Sequence, residues 1–345
     1  MSTNLWLRKA LPYRLTNSVP LFQARGRLGE SSWEVHQELN KALNQRPARA
    51  PASNELSTYG FVDPFPPRAI TLAEVNEEPT LEEAIDAPPL AQLVRPINNG
   101  EFLVVCAEYQ YRDLKTQVIK RELKLKTDKI EFEQQRKVYK KERDQLKDEI
   151  VQQLLPRAFV LARRTPAIID TQRGVIWVGS GTAKAAEDLL STLRECLGSL
   201  PIRPYQVKIA PSASFTGWIR EGKCPQDFHL LDLALFEDTS EDGGKVGMIR
   251  QDLTGEATQM VVAEGKIATK IAIAYQDKVS FVVNDKLQFT SIRFEDLLAD
   301  QAAQEGGDDA HGQLEASALI TGRTLRDMLE ELSLNLGGEE IPQGI

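Results

Sequence analysis

Apolar and polar positions repeat along this chain with two periods, and the switches between them outline its elements. Alternating or unbroken apolar runs bounded by turn residues predict strands at 5–15, 101–108, 167–171, 175–178, 229–236, 245–251, 266–275, 279–284 and 287–293. Gln172-Arg173-Gly174 reads as a hairpin turn, and the last three strands read as an antiparallel meander. Helical spacing predicts helices at 34–43, 182–197 and 322–336, the second closed by Gly198 and Pro201 and the third by Gly337–Gly338.

One stretch follows a different pattern. From Leu114 to Leu155 there is no Gly or Pro, and Lys, Glu, Gln, Arg and Leu dominate until Pro156 closes it. As one helix it would run about 60 Å; a break near Lys140–Arg143 would fold it into a hairpin, and the pattern leaves both open. Apolar residues recur every seven positions at Val118, Leu125, Phe132, Tyr139 and Leu146. Their companions three residues on (Arg121, Asp128, Gln135, Glu142 and Glu149) are polar, so the repeat is a thin seam and no zipper.

The remaining segments read as connections. Residues 44–54 carry Pro47 and Pro51, residues 74–86 hold six acids and no base, and 299–313 form an acidic loop rich in Gly, Asp and Gln. The element order predicts an α+β chain of several units: an α/β region at 1–111, a basic helical segment at 112–165, an α/β region at 166–243, and a meander plus helix at 244–345.

The length of 345 residues suits two or three folding units. Hydrophobic residues make up 41%, which excludes a largely disordered chain. The longest apolar run, Phe102 to Ala107, is far shorter than the ~20 residues that span a bilayer, and no secretory leader pattern is present. Cys106, Cys196 and Cys224 are odd in number and far apart, which points away from a disulfide framework and towards the cytoplasm.

Charge changes the picture most. The chain carries 42 basic and 50 acidic residues, a formal −8, which argues against a nucleic-acid partner. Between Arg112 and Arg164, however, sixteen Lys and Arg face nine Asp and Glu, so this segment is +7 and the rest −15. Drawn on a single helix, Lys115, Lys129, Arg136 and Arg143 form one row beside the seam and Lys126, Lys140 and Lys147 another, with Asp128, Glu142 and Glu149 on the far side. Such a basic side suits a phosphate backbone; the alternative is a solvated helix with i,i+4 ion pairs.

Catalytic patterns are weak. Gly179-Ser180-Gly181-Thr182-Ala183-Lys184 follows a strand and opens a helix, but without phosphate-loop spacing it reads as a plain cap. Asp252 with Glu264-Gly265-Lys266 mimics the acid, acid-x-Lys spacing of metal-dependent nucleases, although Glu264 and Gly265 precede their strand. His36, His229 and His311 are scattered, and His229, in an apolar strand, reads as a core residue. No metal, cofactor or catalytic residue is expected.

Leu154-Leu155-Pro156-Arg157-Ala158-Phe159, preceded by Leu146-Lys147-Asp148-Glu149, resembles the bacterial recombination-associated RdgC family. The resemblance continues at Ala183-Lys184-Ala185-Ala186-Glu187-Asp188, Leu197-Gly198-Ser199-Leu200-Pro201, Gln251-Asp252-Leu253-Thr254 and Gly265-Lys266-Ile267-Ala268-Thr269-Lys270, with Leu5-Trp6 and Tyr13-Arg14-Leu15 near the start. It implies a horseshoe-like protomer in a ring-shaped homodimer that encircles double-stranded DNA without sequence preference, restrains RecA-type strand exchange, and resides with the nucleoid in the cytoplasm. It also implies no enzymatic activity. On this resemblance Phe159 closes the ring at one dimer contact, and Arg250 and Gln251 lie at the other; plain core packing is the alternative for Phe159. The expected DNA contacts are Lys115, Lys126, Lys129, Arg136, Lys137, Lys140, Arg143 and Lys147. The 44–54 and 74–86 stretches are longer than the family pattern, as in a diverged or phage-encoded member. Two rival readings remain, a metal-dependent nuclease of recombination and a helical scaffold that binds a protein partner.

Overall fold

The computed structural model describes residues 4–22, 36–65, 91–240, 243–307 and 309–341. The acidic 74–86 stretch lies outside them. Two antiparallel sheets carry the architecture. The first runs β2 (Ser57–Val62), β4 (Phe102–Arg112), β5 (Val160–Asp170), β6 (Val175–Val178), β1 (Leu11–Leu15), β7 (Ile202–Pro204), with β3 (Val94–Ile97) also paired to β4. The second runs β12 (Phe289–Phe294), β11 (Val279–Asn284), β10 (Ile267–Tyr275), β8 (Phe228–Glu237), β9 (Lys245–Ile249) and contains the expected meander.

The inner half of β4 explains how the first sheet is buried. Phe102 to Ala107 is apolar without alternation, as a strand covered on both faces requires, and all six residues are buried. Leu103, Val105 and Ala107 face a core closed by α1 (Gln37–Leu43) and α4 (Ala183–Leu197), the latter ended by Gly198 in the left-handed conformation. Phe102 and Val104 face the larger core, shared with Trp177, with Phe215 and Trp218 of α5 (Pro211–Glu221), with Phe281 and Phe289 of the second sheet, and with Leu325, Met328 and Leu332 of α8 (Ala310–Asn335). Gly322 lets α8 press against the sheet: a Cβ there would sit 2.8 Å from the Phe102 ring. The two sheets are joined where Ala10 and Phe289 exchange backbone hydrogen bonds of 2.9 Å each.

Several expectations need correction. The 114–155 stretch is two helices, α2 (Thr116–Gln134) and α3 (Lys140–Leu154), and the break falls at 135–139, not at Lys140–Arg143. Gln135 takes a left-handed φ of 47° and stops α2, while the Glu131 carboxylate accepts the Val138 N–H at 2.9 Å across the turn. The acidic 299–313 segment is no loop. It forms most of α7 (Asp296–Gly306) and the start of α8, because Leu298, Ala302, Ala316 and Ile320 give the two helices a small shared core and the Asp309 carboxylate caps α8 at Gly312 N. The 5–15 strand begins only at Leu11, and 245–251 ends at Ile249. His229 is exposed rather than in the core, since its side of β8 is left uncovered. The strands β2 and β3 and the helices α5 and α6 (Glu256–Ala263) were not anticipated.

A charged cluster fixes α8 to the sheet. Arg326 donates to both Glu101 and Asp170, Arg323 adds a 2.8 Å bond to Glu101, and the Arg326 guanidinium lies 4.4 Å from the centre of the Phe102 ring. Burial opposes the Glu101 carboxylate, but hydrogen bonds from Arg323, Asn98 and Arg326 outweigh it and hold its pKa at about 2. Because the folded value is depressed, this stabilisation is complete above the ordinary carboxylate value of about 4.5 and is lost as pH falls towards 2. Arg326→Met leaves two buried carboxylates unbalanced and is expected to cost about 3 kcal/mol in urea unfolding at neutral pH. Glu101→Gln should remove the part of the acid sensitivity that falls between those two pH values.

Candidate nucleic-acid interface

The basic segment grows out of the longest strand pairing in the protein. β4 and β5 pair over eleven residues, from Phe102↔Asp170 to Arg112↔Val160. Their inner halves are buried; their outer halves (Tyr109, Val160, Leu161, Arg163 and Arg164) are exposed, and Arg164 pairs with Glu108 at 2.8 Å. At the tip of this ribbon the chain enters α2, turns, returns through α3 and a 3₁₀ turn at Leu155–Arg157, and rejoins β5. The Asp113 N–H donates to Phe159 O at 2.9 Å and closes the neck. Arg112 gathers the same neck: its guanidinium donates to Leu155 O, Ala158 O, Pro51 O and Ala52 O at 3.0–3.3 Å.

The two helices fold back on each other over a small core. Thr127, Val138, Ile150 and Leu155 are buried, while Leu123, Ile130 and Leu146 are half-buried. The heptad row is not this core. Val118 and Leu125 are exposed, and Phe132 and Tyr139 are 77% and 75% exposed, so four of the five seam positions form an uncovered apolar row on the arm. The rows of charge drawn on one helix are likewise divided between two helices that fold back on each other.

The expected cations separate into two groups. Lys115 pairs with Asp113 at 2.8 Å, Lys126 reaches Gln153 across the hairpin at 3.1 Å, Lys129 lies 3.8 Å from Glu133, and Arg136 is held bidentately by Glu142 at 2.7 Å. The hydrogen bond from Arg136 in turn keeps the Glu142 carboxyl below its ordinary pKa. Among the described residues, Lys137, Lys140, Arg143 and Lys147 have no ion pair and are exposed. The last three sit at i, i+3 and i+7 on α3, one stripe of its surface. Lys120, Lys124 and Lys141 are also exposed and unpaired. They were visible in the basic count but lay outside the rows.

The other candidate chemistry disperses. Asp252 accepts the backbone N–H and the hydroxyl of Thr254, and Glu264 pairs with Lys266 at 2.7 Å. Among the described residues, no three His, Cys, Asp or Glu side chains gather as metal ligands, and no helix is long and apolar enough to cross a membrane. The three cysteines are buried, and burial pushes the Cys106 and Cys224 thiols up to about 12, far from reactive thiolates. In the Gly179–Lys184 loop the Ser180 hydroxyl accepts the Thr182 N–H at 3.1 Å, a local turn that opens α4.

A family model described as "Putative exonuclease, RdgC" matches residues 89–339. Proteins named "Recombination-associated protein RdgC" are similar over almost the whole chain. Those of Pseudomonas syringae pv. syringae (strain B728a) and Pseudomonas aeruginosa (strain LESB58) are 46% identical, and that of Pseudomonas paraeruginosa (strain DSM 24068 / PA7) is 47% identical; each match covers 99% of this chain and 100% of the relative. The chain belongs to the RdgC family.

The positions singled out through the RdgC resemblance are all on the surface. Phe159 is 83% exposed, and it is Leu155, not Phe159, that packs after the helix, so core packing is overturned for it. Val160 and Leu161 extend the same apolar surface along β5. Arg250 and Gln251 are exposed just beyond β9, an edge strand; Arg250 has a left-handed φ of 55°, and Gln251 N donates to Asp232 O at 3.2 Å. Ile249 beside them is 66% exposed.

The hairpin's small core makes it a locally unstable unit on a firm base. Ile150→Ala, which removes its most buried large side chain, should speed amide exchange throughout 116–154 in mass-spectrometric measurements, consistent with a local loss of about 2–5 kcal/mol. The thermal midpoint of the two-sheet body should stay unchanged.

Proposed function

We propose that this RdgC-family protein binds double-stranded DNA without sequence preference, through the cations of the α2–α3 arm, as a ring-shaped homodimer. The observation that carries this reading is the set of unpaired cations, Lys137, Lys140, Arg143 and Lys147, on an arm attached to a body of opposite net charge. Phosphates attract such side chains irrespective of base sequence, and the gain comes largely from counterion release. Lys115, Lys126, Lys129 and Arg136 contribute by exchanging their present partners for phosphate. The acidic remainder repels DNA elsewhere and directs it to the arm.

Pairing of two copies supplies the second half of the ring. The exposed Phe159 with Val160 and Leu161, and the apolar row Val118, Leu125, Phe132 and Tyr139, offer surface of the kind a symmetric contact buries. Arg250 and Gln251, beyond the free edge of β9, mark the second contact. A ring around duplex DNA restrains RecA-type strand exchange by occupying the duplex and needs no catalytic residue. This also places the protein with the nucleoid in the cytoplasm.

The test is a titration of unrelated duplexes, circular and linear, at several salt concentrations. The expected result is one affinity for all sequences, falling steeply with salt. Charge reversal of Lys140, Arg143 and Lys147 together should reduce the salt slope by roughly 3, at about 0.9 per phosphate contact. A wild-type protein with no salt dependence would refute the reading. Magnesium-dependent trimming of end-labelled duplex that Lys266→Ala abolishes would establish the exonuclease reading in its place.

Phe159→Ser should shift the sedimenting species from dimer towards monomer. It should also lower retention on circular duplex more than on short linear duplex. Equal loss on both would remove Phe159 from ring closure.

A further inference from the structure

A cleft away from the arm opens at the seam between the two sheets. The chain runs in along the edge of β12, where Arg8 O accepts the Ile292 N–H at 2.9 Å. β12 is bulged at this point: Ser280 pairs with Arg293 and Val282 with Thr290, so Ser291 and Ile292 together stand opposite Phe281, and Ser291 takes a left-handed φ of 52°. A bulge of this kind re-aims neighbouring side chains and persists where the surroundings hold it. The cleft has a volume of about 570 Å³, and Trp6, Arg8, Lys9, Ser291, Arg293 and Phe294 line it.

Its charge is unlike that of the body around it. Elsewhere the body pairs its arginines: Arg14 and Arg203 with Glu339, Arg46 with Glu195, and Arg323 and Arg326 with Glu101. Among the described residues, Arg8, Lys9 and Arg293 have no ion pair or side-chain hydrogen bond, all three are exposed, and no acid lines the cleft. Three like charges around one concavity are stabilised by an anion bound between them. Lys9 is kept in place by Gly181, where a Cβ would come within 2.7 Å of the Lys9 Cδ.

An aromatic pair completes the site. The Trp6 and Phe294 rings lie 4.8 Å apart at 37°, half-buried, packed against Leu298, Ala302, Ala316 and Ile320 and lining the cleft as well. Phosphate-binding cations beside a firmly backed aromatic pair suit a ligand that has both an anion and a flat, apolar ring face. We propose that this cleft binds a nucleotide unit whose base is unpaired, with its phosphate on Arg8, Lys9 and Arg293 and its base against Trp6 and Phe294. The inference rests on the DNA-binding reading above and adds a second, single-strand-selective site to it. A base within a duplex has no free face to offer, so the arm and the cleft select different forms of nucleic acid.

The test uses the full chain, a short 5′-phosphorylated single strand, a duplex of the same sequence, and adenosine monophosphate as competitor. Arg8→Glu with Arg293→Glu should weaken single-strand binding by at least about tenfold and lower its salt slope by about 1.4, at 0.7 per phosphate contact, while duplex affinity changes by less than about threefold. Arg8→Lys with Arg293→Lys should restore most of the single-strand affinity. These exposed positions should leave the thermal midpoint unchanged, which separates loss of binding from loss of fold. Unchanged single-strand affinity in the reversal variant overturns the proposal, and so does an equal loss on single strand and duplex. Wild-type protein that binds single strand but no duplex would sink the ring reading and leave the cleft standing. Displacement of the strand by adenosine monophosphate at comparable concentration identifies a free nucleotide as the occupant; failure to displace it identifies a strand.

Discussion

The β4–β5 ladder is longer than the core that covers it, and the rest of the molecule depends on that mismatch. Eleven pairs hold the two strands together, yet side chains from both cores bury only the inner ones. The inner half is anchored on both faces, by α1 and α4 on one side and by α8 and the second sheet on the other. The outer half carries the hairpin away from that anchorage with its hydrogen bonds intact and little else to hold it. Backbone pairing, indifferent to side-chain type, is what allows a charged and weakly cored arm to be presented by an apolar body.

That separation also makes the electrostatics workable. A chain of net −8 has no reason to approach DNA, and a uniformly mixed surface would not either. Here the positive excess is confined to the arm and its ribbon, and the body neutralises most of its own arginines within its folds. The clamp of Arg323 and Arg326 on Glu101 and Asp170 shows the difference in use: those cations are committed to holding α8 and are unavailable to a ligand. On the arm, half of the named cations are committed to neighbours and half are free.

Much of this was readable in the order of the residues, and the failures have physical causes. Phe102–Ala107 was legible because a strand buried on both faces is apolar throughout; Glu108–Arg112 was not, because an exposed ribbon has no core to impose a period. The hairpin and the single helix differ only at Gln135–Tyr139, where no Gly or Pro announces the turn and a left-handed Gln makes it. The 299–313 helices were hidden because four small or aliphatic residues suffice for their shared core. β3 is short and contains Pro96, so nothing in its composition suggested a strand. The charge excess located the arm correctly, but placing its cations into rows required a helix that does not continue. Arg8, Lys9 and Arg293 come from opposite ends of the chain, and only the pairing of the incoming segment with β12 brings them to one cleft.

The Arg112 guanidinium ties the root of the arm to the carbonyls of Pro51 and Ala52 as well as to those of Leu155 and Ala158. A loop far from the hairpin in sequence is therefore part of the hinge on which the hairpin is mounted. The 44–54 stretch acts as a shim under a lever: its length and its prolines set the pitch of the arm without touching any cation on it. Lineages that lengthen or shorten this loop can retune the bore between two facing arms while every residue that meets DNA stays the same.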